Sequence, residues 1–467
     1  MKKSRIFCLL LSITLVFSAL SVSVLGASEE ESVTKGCHTV DAAQTLASGE
    51  RLTETAQAVI LYELNSQTML YTWNPDEKIY PTSMVKLMTV WLALENADPT
   101  DVVTVTRGAL NQLPVGIVSA GLKAGEEVTV EDLMYCTMVG SANDASVVLA
   151  EYVAGSQAAF VDMMNARATE LGCKGTHYSN AHGLHEEETY TTARDICRIM
   201  EAALQNEEFA KIFRTVSYTV PATNKSQERI ITTTNNMMNP GNKKYYDTRV
   251  TGGKTGATDS GGRCLTLTAE ANGMNLLCIV MGAKPTVEEN GSLSAYGSFE
   301  ESKVLLDYAF QSFSYRQVFF DGQSISQYPV TGGAHHVVTQ PAQSASTVFP
   351  VDGDVSQLRW VYFMEKNELT APLKAGEKLG TVQVWYGEKC LAQTDMVAMN
   401  DVPVAKAPVV PQKPSGIADG EGLSILLGIV VAVVVVAILV FGGILVKRWI
   451  YIARIERRRK RKAQRRR

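Results

Sequence analysis

Apolar residues recur along the chain in several distinct patterns, and these patterns predict where its strands and helices lie. Two alternating runs at 58–64 and 69–73 are separated by turn residues and predict a pair of strands. Apolar positions then recur every three or four residues, which indicates helices that bury one face. These predicted helices are the segment that follows Pro81 and the ranges 130–138, 144–153, 158–171 and 193–204.

The second half of the chain returns to strand patterns. Residues 249–282 read as strands and 301–313 as an amphipathic helix, so strands enclose helices and a last helix follows. This order predicts an α/β or α+β domain, which we place at residues 50–315. Short alternating segments punctuated by Gly, Pro and Asp predict a smaller all-β domain at 316–402.

One predicted hairpin allows a test of cysteine pairing. Asn272 and Gly273 form a two-residue turn signal between two strand-like runs. In that register Cys278 faces Leu267 and not Cys264, so a disulfide between these two cysteines would exceed the reach of the bond.

The N-terminus has the features of a secretory signal. Three basic residues precede the apolar run 6–20, and small residues near position 26 offer a cleavage site. We therefore predict a signal peptide at 1–27, followed by a polar spacer at 28–49. An uncleaved anchor helix is the alternative.

The C-terminal end predicts a membrane anchor. After a linker at 403–422, the stretch 423–446 carries no charge and is long enough to cross a bilayer as a helix. Twelve Lys or Arg and one Glu follow in 447–467, and such a basic flank stays on the cytoplasmic side. The expected location is therefore the plasma membrane, with a single span and the folded domains outside.

The charge distribution also narrows the possible partners. A basic cluster can bind nucleic acid, but directly after a membrane span it favours anionic lipid headgroups. The rest of the chain has more acidic than basic residues and no basic stripe for phosphates. We expect lipid contact at the tail and no nucleic-acid binding.

Cysteines and histidines raise two further possibilities. The chain has eight Cys, of which Cys8 lies in the predicted signal, and the seven that remain cannot all pair internally. The absence of Cys-x-x-Cys argues against a zinc ribbon or a thioredoxin-like site. His177, His182 and His185 cluster in sequence, but their spacing matches no helical zinc motif. We expect no metal and no cofactor.

The candidate nucleophile is Ser83, with Lys86 three residues further along the predicted helix. That offset places the amine on the same face as the hydroxyl, near enough to accept its proton if the lysine pKa is lowered. The alternative is a helix-capping serine beside a surface lysine. A second Ser-x-x-Lys, from Ser32 to Lys35, lies in the polar spacer and shows that the motif alone is weak.

Two further motifs follow in order along the same predicted domain. Ser141-Ala142-Asn143 interrupts two helices and supplies a hydroxyl that can relay a proton and an amide that can bind a peptide carbonyl. Lys254-Thr255-Gly256 stands at the entry of a strand, whose edge can pair with an extended peptide. Three such elements in this order are a strong signal, although each alone is not.

With these motifs the sequence resembles the serine D-Ala-D-Ala carboxypeptidases, the low-molecular-mass penicillin-binding proteins, over about residues 50–400. The segments 119–122, 180–184 and 190–195 also look like that family. The resemblance implies a serine β-lactamase and penicillin-binding-protein-like transpeptidase fold, followed by a small all-β domain. It implies peptidoglycan stem peptides as substrates and β-lactams as inhibitors.

The resemblance also implies catalytic roles. Ser83 would attack the carbonyl between the last two D-alanines, Lys86 would take its proton, and Ser141 would relay a proton to the leaving amine. The backbone N–H groups of Ser83 and Ala257 would form the oxyanion hole.

The implied substrate-binding residues complete this picture. Asn143 would hold the stem peptide, and Lys254, Thr255 and Gly256 would bind at the terminal carboxylate. Some relatives carry an arginine after the last strand, where this chain has Lys284 and an apparent insertion within 283–297.

Two rival functions remain. A β-lactamase shares the motifs but needs a water-positioning glutamate, and no Glu-x-x-Leu-Asn segment is present. A catalytically silent, membrane-tethered wall-binding protein is the other rival, and three intact motifs argue against it.

Overall fold

The computed structural model of the protein describes residues 50–285, 297–387, 389–406, 428–436 and 438–449. The described residues form two separate units, the first ending at Ala405. The predicted signal peptide and spacer, the insertion, most of the linker and most of the basic tail lie outside the described residues.

The larger portion of the first unit is built around an antiparallel sheet of five strands in the order β2-β1-β9-β8-β7. Four shorter strands form two separate two-stranded antiparallel sheets. The nine strands are β1 (Ala58–Glu63), β2 (Thr68–Trp73), β3 (Val102–Thr104), β4 (Glu127–Thr129), β5 (Ser217–Val220), β6 (Arg229–Thr232), β7 (Val250–Thr258), β8 (Gly262–Ala271) and β9 (Met274–Ala283).

Helices cover both faces of this sheet. The α-helices described in this portion are α1 (Val85–Asn96), α2 (Arg107–Asn111), α3 (Val130–Met138), α4 (Asn143–Ala154), α5 (Gln157–Glu170), α6 (Ala193–Ala203), α7 (Glu207–Phe213) and α8 (Gly297–Ser312). Short 3-10 turns at Thr82–Met84 and Asn236–Met238 complete it.

Side-chain alternation along the central strands explains the three layers. In β1, Ile60 and Tyr62 pack with the helical layer that contains α1, while Val59 and Leu61 pack with Phe299 and its neighbours on α8. Successive side chains of a strand point to opposite faces, so a strand buried on both sides is apolar along most of its length. Every residue of β1 is buried.

Local capping explains where several helices begin. Thr129 and Asp132 form a reciprocal capping box at the start of α3, and Thr192 caps α6 through the backbone N–H of Asp195. Each cap satisfies a backbone donor that the helix leaves unpaired. By contrast, α1 follows a 3-10 turn directly and has no side-chain cap.

The patterns predicted α3, α4, α5 and α6 to within one residue at each end, whereas α8 begins at Gly297, four residues before the predicted start. The patterns missed the short elements, namely α2, α7 and the strand pairs β3–β4 and β5–β6.

The register predicted for the hairpin at Asn272 and Gly273 is confirmed, because Cys278 pairs with Leu267 across β8 and β9. Cys264 and Cys278 are both free thiols.

The other cysteines of the first unit fall into two groups. Cys136, Cys173 and Cys197 are buried free thiols, like the pair on β8 and β9. Cys390 is disulfide-bonded. Burial raises the pKa of each free thiol, to about 12 for Cys136, so little thiolate is present at neutral pH.

A smaller β portion follows α8 without an intervening residue. Its strands are β10 (Phe313–Phe319), β11 (Ser326–Tyr328), β12 (Val330–Thr331), β13 (Val337–Pro341), β14 (Ala345–Pro350), β15 (Leu358–Met364), β16 (Leu369–Thr370), β17 (Lys378–Tyr386) and β18 (Lys389–Ala398). Five of them form the sheet β11-β13-β18-β17-β15, and β10 pairs with β14. The boundary predicted between 315 and 316 falls inside β10.

The second unit contains the helix Gly428–Trp449, which is long and apolar enough to cross a membrane by length and composition. The predicted span 423–446 overlaps it, although residues 423–427 lie outside the described part.

A buried carboxylate joins the β portion to the larger portion. Glu63, at the end of β1, is fully buried and accepts hydrogen bonds from the backbone N–H groups of Ser66 and Asn275. It also accepts from the hydroxyl groups of Ser66, at 2.6 Å, and Tyr315 on β10, at 2.8 Å. A buried carboxylate is tolerated when its lone pairs are satisfied in this way.

Replacing this carboxylate should loosen the junction. Glu63→Gln puts an amide donor against groups that themselves donate, and we expect a loss of about 1–3 kcal/mol in the free energy of unfolding. Urea unfolding of the purified first unit measures it. Glu270→Gln is the matched control, because Glu270 is exposed and its ion pair with Arg214 contributes little. Equal stability of the two variants would contradict the assignment.

Candidate active site

The site is built at the N-terminal end of α1. Ser83 lies in the 3-10 turn Thr82–Met84, half-buried, and Lys86 is fully buried one turn further on. Neither the 3-10 turn nor α1 has a side-chain cap, so Ser83 is not a capping residue. The capping alternative is therefore wrong, and so is the surface lysine.

Lys86 has three oxygen partners. Its Nζ lies 3.1 Å from Ser83 Oγ and 2.9 Å from Asn143 Oδ1, and it also contacts the backbone carbonyl of His182. A neutral amine has two N–H donors and one lone pair. The amide and carbonyl oxygens can only accept, while the serine hydroxyl can donate. Three oxygens therefore match an ammonium that donates to all of them, or a neutral amine that donates to two and accepts a hydrogen bond from Ser83.

Burial favours the uncharged amine. The pKa of Lys86 is held well below 10.5 by loss of hydration and by the nearby charge of Lys254, against an opposing effect of Asp144. The charged form of a lysine loses most when water is excluded. His182, above Lys86, has its pKa lowered to about 4 by burial and by Lys86, so its ring is neutral.

A second hydroxyl–lysine pair faces the first. Lys254 on β7 donates from Nζ to Ser141 Oγ and to the carbonyl of Thr255, each at 2.8 Å. Burial lowers the pKa of Lys254 to about 7. Ser141 lies between α3 and α4 at φ 56°, a conformation that non-glycine residues rarely adopt. Residues in such conformations cluster at functional sites.

Asn143 begins α4 and ties the two sides of the site together. Its Oδ1 accepts from Lys86, and its Nδ2 donates to the carbonyl of Val118 at 2.9 Å. The second N–H of the amide is left for a ligand. Next to it, buried Asp144 accepts from Ser119, Ala120 and Leu122 and so holds this loop in place.

Close backbone approach at Thr82 brings the third motif to the nucleophile. A Cβ at Gly256 would lie 1.8 Å from Thr82 Oγ1 and 3.2 Å from the Ser83 nitrogen, so only glycine fits. A Cβ at Gly183 would lie 2.0 Å from the Thr82 carbonyl oxygen. The backbone of Gly256 and Ala257 thus passes directly beside the Ser83 amide.

Thr255 lines the open edge of β7. It is half-buried, and its Oγ1 lies 2.5 Å from Oγ1 of Thr234 in the bend after β6. The structure therefore brings together the residues of the three motifs and Ala257. Those residues are Ser83, Lys86, Ser141, Asn143, Lys254, Thr255, Gly256 and Ala257.

Residues that contribute through backbone atoms, or through contacts between distant parts of the chain, could not be predicted from the motifs. The carbonyls of His182 and Val118 carry no sequence signal, and Thr234 lies in no motif. Lys284 is exposed at the end of β9, and its backbone N–H donates to Thr55. The three clustered histidines do not converge, and no group of three possible metal ligands occurs among the described residues.

Comparison with known proteins gives the family. Residues 43–285 match the peptidase S11 model, described as D-alanyl-D-alanine carboxypeptidase, and 313–404 match the C-terminal domain of penicillin-binding protein 5. The chain belongs to the D-alanyl-D-alanine carboxypeptidases. It is a hydrolase and a penicillin-binding protein, with the fold that this implies.

Individual relatives agree with this assignment. D-alanyl-D-alanine carboxypeptidase DacF of Bacillus subtilis is 28% identical over 75% of this chain and 87% of its own length. DacC of Escherichia coli is 30% identical over 74% of this chain and 84% of its own. The crystal structure of penicillin binding protein 5 from Haemophilus influenzae superposes with a TM-score of 0.60, at 29% identity over 76% of this chain and 99% of that one.

Burying Lys254 should make the carboxypeptidase's stability depend on pH. Its folded pKa of about 7 lies below the ordinary 10.5. Between these values the unfolded chain holds more protons, so the free energy of unfolding rises with pH. One lysine contributes at most about 1.4 kcal/mol per pH unit. Lys254→Met should remove this lysine's contribution to the slope of the free energy of unfolding against pH.

Urea unfolding of the first unit at pH 6.5, 8 and 9.5 measures the slope. Lys243→Met is the matched control, because that side chain is exposed and should leave the slope unchanged. An unaltered slope in Lys254→Met would mean that the buried ammonium keeps its proton.

Proposed function

We propose that Ser83 is the nucleophile of this carboxypeptidase and that neutral Lys86 is its general base. The observation that carries the proposal is that the fully buried Lys86 amine lies 3.1 Å from the Ser83 hydroxyl. Ser83 Oγ attacks the carbonyl between the last two D-alanines of a stem peptide, and its proton moves to Lys86 Nζ. Such a base needs a free amine, and burial favours that form because it holds the pKa of Lys86 well below its usual range.

Collapse of the tetrahedral intermediate breaks the C–N bond to the terminal D-alanine. Ser141 accepts a hydrogen bond from Lys254 and so keeps its own proton to donate, which suits it to protonate the departing amine. The product is an acyl ester on Ser83. Ser141 is reprotonated by the proton that Lys86 took from Ser83, so both return to their starting states. Water then attacks the ester and gives a proton to Lys86. Lys86 passes this proton to Ser83 Oγ as the ester C–O bond breaks and the shortened peptide leaves as the free acid.

The close approach at Gly256 supports an oxyanion hole formed by the N–H groups of Ser83 and Ala257. Each donor of such a pair contributes about 3 kcal/mol to lowering the barrier. The free N–H of Asn143 Nδ2 suits the stem-peptide carbonyl. The remaining N–H of Lys254 and the hydroxyl of Thr255 suit the terminal carboxylate.

A β-lactam enters the same cycle, because its strained amide presents a carbonyl and a carboxylate in similar positions. We propose that the resulting ester is lost slowly. The family comparisons and the absence of a water-positioning Glu-x-x-Leu-Asn segment favour this outcome over a β-lactamase. Removal of the terminal D-alanine limits cross-linking, because the D-Ala–D-Ala bond is no longer present in the product.

We propose that the enzyme works outside the plasma membrane. The apolar helix Gly428–Trp449 and the twelve basic residues in 447–467 support a single span with the C-terminus in the cytoplasm. The basic tail would contact anionic lipids of the inner leaflet.

A penicillin pulse on the full chain should add the drug's mass to one peptide, the one that contains Ser83. The same protein should release D-alanine from a peptide ending in D-Ala-D-Ala. Ser83→Ala should lose the adduct and at least about a thousandfold in turnover, because the nucleophile is removed. Mass spectrometry and a D-alanine assay measure these two results.

Ser32→Ala is the matched control for this experiment, since Ser32 and Lys35 repeat the motif spacing outside the site. It should keep full activity. A fully active Ser83→Ala would overturn the mechanism. Rapid turnover of penicillin without D-alanine release would indicate a β-lactamase, and the absence of both adduct and turnover a silent binding protein.

The topology can be tested with an epitope placed after Arg467. Protease added to intact protoplasts should cut the folded portions but leave the epitope protected until the membrane is permeabilised. Loss of the epitope in intact protoplasts would contradict a cytoplasmic tail.

A further inference from the structure

Thr234 lies outside the three motifs but contacts one of them and the segment that precedes another. It lies in the bend between β6 and the 3-10 turn Asn236–Met238 and is half-buried. Its Oγ1 lies 2.5 Å from Thr255 Oγ1. Its backbone N–H donates to the carbonyl of Val139, at the end of α3, at 3.3 Å. This residue therefore spans from the open edge of β7 to the segment that leads into Ser141.

The packing of the next residue fixes this placement. Asn235 is fully buried, and its Oδ1 accepts from the backbone N–H of Met237. Its Nδ2 lies 2.2 Å from where a Cβ of Gly253 would be. The segment is therefore seated against β7 where glycine leaves room for it. Thr234 has little freedom to move away from Thr255.

The hydroxyl contact has a required direction if Thr255 is to bind an anion. Each threonine hydroxyl has one proton to donate and lone pairs that accept. A carboxylate only accepts, so Thr255 must direct its proton at the ligand. Thr255 Oγ1 must then accept from Thr234. A donor at position 234 thus orients the Thr255 proton toward the open cleft.

Lys254 alone does not supply all the hydrogen bonds that a bound carboxylate can accept. In its protonated form, Lys254 uses two of its three N–H groups on Ser141 Oγ and the Thr255 carbonyl. One N–H remains for a carboxylate that offers about four acceptor positions. An oriented hydroxyl at Thr255 supplies a second donor without adding a charge to a site that already holds two buried lysines.

We propose that Thr234 is a positioning residue for recognition of the substrate's terminal carboxylate, acting through a hydroxyl relay from Thr234 to Thr255. This inference rests on the proposed function. Thr234 touches neither the scissile bond nor the proton path between Ser83 and Lys86. Its effect therefore falls on the preference for a carboxylate-terminated peptide over a neutral one.

The test compares two substrates on each variant of the full chain: a peptide ending in D-Ala-D-Ala and the same peptide ending in D-alaninamide. Thr234→Val removes the donor and keeps the shape. It should raise KM for the acid peptide about tenfold, as expected for a lost hydrogen bond to a charged group. It should leave kcat and the amide substrate almost unchanged, as expected for binding energy shared by ground and transition states.

Two further variants serve as rescue and control. Thr234→Ser keeps the hydroxyl and should retain the acid-to-amide preference. Thr232→Val makes the same chemical change two residues earlier at an exposed position of β6, and it should alter neither substrate. The acid-to-amide ratio is measured within one preparation, so it does not depend on the fraction of active enzyme. Thr234→Ala replaces the valine variant if that one does not fold.

An equal loss on both substrates in Thr234→Val would overturn the proposal, since a purely structural role predicts that result. An unchanged ratio would overturn it as well. If Ser83→Ala is inactive, either of these results rejects only the role of Thr234 and leaves the proposed mechanism intact. If Ser83→Ala is active, the proposed mechanism itself is rejected.

Discussion

The rest of this structure depends on one constraint, which is that the amine of Lys86 must be shielded from water. The role proposed for Lys86 as a base depends on the burial of α1 on nearly all sides, because burial lowers the pKa of this lysine. The helix is enclosed by α4, the segment at His182 and the central sheet. The layered fold thus does more than carry the site: it excludes water and lowers the lysine pKa. The same exclusion makes the second lysine costly, and the site tolerates both because each has oxygen partners.

The cleft is formed where three distant parts of the chain meet at Thr82. Two glycines, Gly183 and Gly256, let neighbouring backbones approach within distances that any side chain would prevent. Thr82 itself adopts φ 54°, which is rare for a β-branched residue. Backbone strain of this kind persists only when the surroundings hold it. The site is therefore kept rigid by close backbone packing as well as by its hydrogen bonds.

Sequence patterns predicted the parts of the molecule that depend on local order. The long helices, the β8–β9 register and the three motifs follow from spacing along the chain. Short elements such as α2 and α7 escaped, because five or seven residues carry too little periodicity. Backbone partners such as the His182 carbonyl escaped for another reason, since any residue type can offer a carbonyl. Thr234 is ordinary in sequence and gains a role only where folding sets it against Thr255.

The fold protects the five free thiols that lie within residues 50–405 of the described structure. On the outer side of the membrane proposed here, oxidants are present and no cytoplasmic reductant restores a thiol. Burial both hides these sulfurs and suppresses their thiolate form. The nascent chain has neither defence, so folding and oxidation are in kinetic competition during export. A slow-folding variant with intact catalytic residues could then be lost to wrong disulfides before it ever met a substrate.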